Sequence, residues 1–292
     1  MYKGVYTALI TPFNRDGSVD REALKDLVEF QISEGISGLV PVGTTGESPT
    51  VSHDENVDIV RIVVEQAKKR VPVIAGTGSN CTDEAVGMTR RARDIGADAT
   101  LQVAPYYNKP SSEGFYRHFT AIADQGGLPV IVYNIPGRTG KNIDNDTMLR
   151  LAAHPGIAAV KEASGDLAQV MDLYRRKPES FDILSGDDNL GLPIIALGGT
   201  GIISVASNII PGQMEKLVKL ANDGDFARAR ELHYQLLPLF KTLFIETNPI
   251  PVKYGVSLLG KCREIYRLPM WPMEEEKKRQ MKKVLEDLGL IR

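Results

Sequence analysis

Short apolar runs alternate with amphipathic helical patterns from residue 4 to about residue 207, and no other feature restricts the fold of this chain as tightly. The runs are GVYTALI (4–10), GLVPV (38–42), PVIAG (72–76), ATLQV (99–103), PVIVYN (129–134), IAAVK (157–161), FDILS (181–185) and GIISV (201–205). Continuous apolar runs bounded by turn residues read as strands buried on both faces, and an intervening helix makes neighbouring strands parallel. Between them lie helix patterns such as DREALKDLVEFQISEG and SHDENVDIVRIVVEQAKKR, the second opening with Ser52 and Glu55 at capping-box spacing. Eight such units in series predict an α/β fold, a closed (β/α)8 TIM barrel. An open doubly wound sheet is the alternative, but it usually has fewer strands, and its G-x-G-x-x-G fingerprint is absent after GVYTALI. After Ser207 the strand pattern stops and only helical patterns follow, interrupted by NPIPVKYG and RLPMWPM. The expected organisation is a catalytic barrel over 1–224 and a C-terminal helical appendage over 225–292.

Composition excludes several functions. The chain has 292 residues and a formal net charge of -2, with its basic residues spread along it, so nothing marks a nucleic-acid or anionic membrane surface. The two cysteines, Cys81 and Cys262, have no C-x-x-C spacing, and the four histidines are scattered, which argues against a disulfide framework, a structural zinc or any other metal site. The opening MYKGVYTALITPF lacks a signal-peptide pattern, and no apolar run approaches the roughly 18 residues of a membrane span. A cytoplasmic location is expected.

In a (β/α)8 barrel the chemistry sits on the loops that leave the C-terminal ends of the strands. Those loops are GTTGES after strand two, APYYNKP after strand four, IPGRTG after strand five and GDD after strand seven. Strand six ends in a lysine, Lys161, at the close of the apolar run Ile157 to Val160. Taken alone, a lysine at a strand end is more often a surface residue whose stem packs on the core. Carried into the barrel, it escapes the cost of a buried charge by a depressed pKa, and the neutral amine is then a nucleophile for Schiff-base chemistry. Tyr133, at the end of strand five, is its expected neighbour. A phenol there can relay protons; its plain alternative is a core tyrosine. GTTGE exposes backbone N–H groups and two hydroxyls suited to an anion, or is simply a helix-entry turn. Arg138, set by a Pro-Gly turn, offers a bidentate grip for a carboxylate. LGGTGIISV reads as close strand packing, since the sequence beside it supplies no basic partner for a phosphate.

Together GTTGE, YNIPGRTG, VKEASGD and LSGDD, with ALITPF and NPIPVK, resemble the 4-hydroxy-tetrahydrodipicolinate synthase (dihydrodipicolinate synthase) family nearly end to end. The strand-six lysine and strand-five tyrosine are shared across the pyruvate-dependent class I aldolases and lyases, so they specify the chemistry only. Thr44 and Arg138 discriminate: sialic acid lyases have G-S-T-G-E and lack the arginine. The resemblance implies that Lys161 forms an imine with pyruvate and that the derived enamine attacks L-aspartate 4-semialdehyde, with no cofactor. It implies that Tyr133 shuttles protons through Thr44 to Tyr107, reaching in from a neighbouring subunit of a homotetramer built as a dimer of dimers. It assigns Thr45, Ile203 and Gly186 to pyruvate and Arg138 to the semialdehyde carboxylate.

The resemblance further implies an interface site for inhibition by L-lysine, matched here by Ser48, His53, Asn80, Glu84 and Tyr106. The chain departs from the common pattern at Asn56, where a second histidine is usual, which implies weak or altered inhibition. Two rivals stay open: a related aldolase acting on a 2-keto-3-deoxy sugar acid or N-acetylneuraminate, and a non-catalytic metabolite-binding barrel.

Overall fold

The computed structural model describes residues 1–292. Its strands are β1 Gly4–Ala8, β2 Gly38–Val40, β3 Ile74–Gly76, β4 Ala99–Val103, β5 Val130–Asn134, β6 Ile157–Glu162, β7 Asp182–Ser185 and β8 Gly201–Ser204. They form one eight-stranded parallel sheet in which β8 returns to pair with β1. The remaining gap, between β2 and β3, is bridged by Leu39 opposite Val73. There Leu39 N donates to Pro72 O at 3.0 Å and Gly76 N to Pro41 O at 2.9 Å, so the barrel closes. β2 stops at Val40 because Pro41 has no N–H to donate to a ladder.

Strand residues alternate between two burials, which is why the runs are apolar throughout. Tyr6, Ala8, Ile131, Tyr133, Ala159 and Ile203 fill the barrel interior, while Val5, Val130, Val132 and Val160 meet the helix layer. Lys161 lies two residues beyond Ala159, on the interior face, directly opposite Tyr133 in the β5–β6 ladder. Both strands run one residue past these two: Asn134 faces Glu162, and Asn134 Nδ2 donates to Glu162 Oε2 at 3.1 Å. Lys161 is thus the penultimate residue of β6, not its last, because this side-chain pair extends the ladder.

Helix starts follow their capping residues. Asp20 accepts from Ala23 N ahead of Arg21–Ser33, and Ser52 with Glu55 forms the full reciprocal box ahead of His53–Ala67. The segment carrying Arg138 is a short helix, Pro136–Thr139, where a Pro-Gly turn was expected; proline at its first position is pre-set for helical φ. The C-terminal helices Phe226–Thr242, Ile250–Leu258 and Glu275–Asp287 pack Leu236, Val252 and Leu285 into the same apolar core as Val5 and Leu24. That docking brings residues 247 to 253 against the loop after β2. No helix is long and apolar enough to cross a membrane.

Candidate active site

The interior register converges on Lys161. Its side chain is 4% exposed, and Nζ lies 4.0 Å from the centre of the Tyr133 ring. Burial pulls the amine down from its ordinary 10.5 to about 8; Asp187 and Asp188 oppose this and Arg138 adds to it. No protein hydrogen bond or ion pair holds the amine. Gly186 makes room for the lysine stem, since a Cβ there would come 2.8 Å from Ala163 Cβ and 3.1 Å from Lys161 Cε. Burial pushes the Tyr133 phenol well up, Asp187 pushes it further, and Arg138 and the Thr44 hydroxyl pull it back. The phenol is therefore protonated at neutral pH.

The loop after β2 is held in a strained form. Val42 has φ +54°, a conformation that disfavours a β-branched residue, and Glu47 has φ +57°. Close approach fixes the strain: a Cβ on Gly76 would lie 2.2 Å from Val42 O, and one on Gly46 would lie 3.0 Å from Val42 N. Gly46 N donates to Gly43 O at 3.0 Å, and Thr11 Oγ1 to Gly46 O at 2.7 Å. This tight loop presents Thr44 at the cavity and buries Thr45, whose hydroxyl accepts from Asn248 Nδ2 at 3.0 Å. On the opposite rim, exposed Arg138 donates through Nη2 to Asn248 O at 3.0 Å. Ile203 is fully buried, opposite Tyr6 in the β8–β1 ladder. The turn beyond it is fixed by buried Asp188, which accepts from Ser204 Oγ at 2.5 Å and Ala206 N at 2.8 Å. Burial raises the Asp188 carboxyl to about 6 despite those bonds.

Tyr107 is not part of this cluster within one chain. It is 91% exposed, with φ +69°, and projects from the loop after β4. Beside the cluster a cavity of about 340 Å³ is lined by Ser48, His53, Glu84 and Tyr106 and reaches Thr44 and Arg138. Asn80 is absent from its lining; its Nδ2 instead donates to Tyr106 O at 3.2 Å. Asn56 lines the same cavity, with its amide tied to Gly76 O at 3.1 Å.

Reasoning from sequence missed Asn248, Asp187 and the buried pair of Glu47 with Lys253. NPIPVK and GTTGE contain three of these four, but the contacts span about 200 residues of chain, and no local pattern encodes such a distance.

The chain resembles known proteins over nearly its whole length. Residues 1–288 match the dihydrodipicolinate synthetase family. A 4-hydroxy-tetrahydrodipicolinate synthase from Chlorobium phaeobacteroides is 50% identical over 289 residues, 99% of this chain and 97% of the relative. The dihydrodipicolinate synthase of Acinetobacter baumannii, solved with pyruvate, superposes with a TM-score of 0.98 at 41% identity, covering 100% of both chains. The enzyme from Cyanidioschyzon merolae, solved with lysine bound, gives 0.97 at 39% identity over 99% of each. This chain belongs to the dihydrodipicolinate synthase family.

Proposed function

We propose that this chain is a lyase that condenses pyruvate with L-aspartate 4-semialdehyde to give 4-hydroxy-tetrahydrodipicolinate, the committed step towards diaminopimelate and lysine. The observation that carries this reading is the Lys161 amine, buried without a partner and pulled down to about 8 beside the Tyr133 phenol. Its lone pair attacks C2 of pyruvate, and the carbinolamine loses water to give an imine. Loss of a C3 proton makes an enamine, whose carbon attacks the aldehyde, and the aldehyde oxygen takes up a proton as the carbon–carbon bond forms. The amine of the semialdehyde then attacks the imine carbon, closes the ring and expels the Lys161 amine. Tyr133 gives and takes these protons, with Thr44 beside it. Thr45, Gly186 and the Ile203 backbone hold pyruvate, and Arg138 holds the semialdehyde carboxylate.

Tyr107 completes the relay from a neighbouring subunit of a homotetramer. Its exposure on a left-handed loop residue supports that role, because one chain offers it nothing to pack on. The cavity lined by Ser48, His53, Glu84 and Tyr106 suits lysine as an inhibitor, Glu84 facing the ammonium. Asn80 borders it through Tyr106. The two unpaired cysteines suit the reducing cytoplasm.

Borohydride reduction in the presence of pyruvate tests the chemistry. A pyruvyl mass on Lys161 is expected, and Lys161→Ala abolishes it; label elsewhere or none defeats the mechanism. Turnover with aspartate semialdehyde, against cleavage of a 2-keto-3-deoxy sugar acid or N-acetylneuraminate, tests the substrate. Mixing Tyr107→Phe with Lys161→Ala under verified subunit exchange restores activity if Tyr107 crosses between subunits.

A further inference from the structure

The C-terminal segment holds the substrate loop at two points. At the first, Lys253 Nζ donates to Glu47 Oε1, and both side chains are sealed from solvent, 0% and 1% exposed. The other Glu47 oxygen accepts from Arg267 N at 3.2 Å, and Lys253 gives a further bond to Ile265 O at 3.1 Å. The Lys253 ammonium lies 4.3 Å from the Phe13 ring centre, under the loop. At the second point, Asn248 joins Thr45 through its amide and Arg138 through its backbone oxygen. Four residues thus separate Asn248, which grips the pyruvate side of the site, from Lys253, which grips the left-handed residue that ends its loop.

Neither grip reaches the Lys161 amine, so neither performs chemistry. The first fixes Glu47 in the loop that carries Thr44 and Thr45, and the second fixes Thr45 and Arg138 directly. Thr45 is two residues before Glu47, and Glu47 N closes the turn on Thr44 O at 3.1 Å. A loop strained at Val42 and Glu47 relaxes when its anchors are removed, because strained backbone persists only where its surroundings over-determine it.

We propose that Asn248, Lys253 and Glu47 are positioning residues: the C-terminal segment clamps the loop after β2 so that its threonines meet the pyruvate carboxylate. This rests on the pyruvate-imine reading above. Removal of the clamp weakens pyruvate binding while leaving Lys161 able to form its imine at saturation.

The test measures the pyruvate concentration that gives half-maximal borohydride trapping of Lys161 in the full-length protein. Lys253→Met alone leaves a buried charge on Glu47, so the pair is removed together in Glu47→Gln/Lys253→Met, an exchange that buried ion pairs often tolerate. Asn248→Ala reads the same quantity without touching the pair, and decides the matter alone if the double variant does not fold. In each folded variant the half-saturating concentration is expected to rise about 10- to 100-fold, the loss of one hydrogen bond to a charged group, with the label still on Lys161 at saturation. A structural role alone predicts a lowered denaturant midpoint with unchanged half-saturation, and that result overturns the clamp. Failure of the unmodified protein to label Lys161 overturns the imine reading itself, and the clamp with it.

Discussion

Two lysines of this molecule are buried to nearly the same degree and held in opposite ways. Lys253 is 0% exposed and Lys161 4%. Burial pulls both amines downward. At Lys253 the Glu47 carboxylate is in contact and opposes the pull, two aromatic rings lie beside the ammonium, and a backbone carbonyl accepts a further hydrogen bond. At Lys161 the carboxylates Asp187 and Asp188 act only through space, and the amine lies over the face of Tyr133, 4.0 Å from the ring centre. The difference teaches that burial by itself does not make a nucleophile. A carboxylate in contact keeps the proton on the amine and fixes its position; withholding that contact releases the lone pair. With the amine at about 8, about a tenth is free at pH 7, against about one part in three thousand for an ordinary lysine at 10.5.

The comparison is most exposed to Lys161→Met, which keeps much of the volume and removes the amine. Turnover and the pyruvate adduct are expected to vanish, with a denaturant midpoint no lower than that of the parent, since an unpaired buried amine contributes nothing to folding. A large loss of stability would make Lys161 a structural residue like Lys253. Next in size, Tyr133→Phe keeps the ring against the amine and deletes the proton. A fall in kcat on the order of 10²–10⁴ is expected, with stability retained; full activity removes Tyr133 from the relay. The converse exchange, Lys253→Met, strands the Glu47 carboxylate and is expected to destabilise the fold by roughly 3–5 kcal/mol in urea titration. A variant as stable as the parent would mean that the pair contributes little to folding.

The same contrast explains what the sequence could reveal. Apolar runs and their period placed the strands, and the capping box of Ser52 and Glu55 placed a helix start at His53, because these are local consequences of burial and of unpaired N–H groups. Lys161 stood out because it interrupts an apolar pattern. Lys253 stood out far less, within NPIPVK, because nothing nearby in sequence shows that Glu47, 206 residues away, will accept its hydrogen bond. Strand ends were legible only to within a residue or two: the Asn134–Glu162 pair that carries β6 one residue past Lys161 is a cross-strand contact. Asn248 and Asp187 were hidden for the same reason, since each acts on groups from other loops.

The smallest expected effect is also the most specific, because it has a sign. If the Lys161 amine is governed by fields and not by a contact, its protonation midpoint moves when a distant charge is removed, and it moves in a direction set by that charge. Burial lowers it, Asp187 and Asp188 raise it, and Arg138 lowers it. The free amine rises as pH climbs through about 8, so the rate of imine formation, read by stopped borohydride trapping at fixed low pyruvate, should climb over the same window. Asp187→Asn keeps the shape of the residue and removes a negative charge that favours the ammonium, so the midpoint should fall and the rate at pH 7 should increase. Arg138→Ala removes a positive charge that disfavours the ammonium, so the midpoint should rise and the rate at pH 7 should decrease, even though pyruvate is not the substrate assigned to this arginine. Asp188 is left intact in both variants, since its bonds to Ser204, Val205 and Ala206 hold the turn after β8. Opposite displacements sharpen the contrast with Lys253. Midpoints that stay together, or both move the same way, would show that a contact and not the surrounding field sets the Lys161 amine.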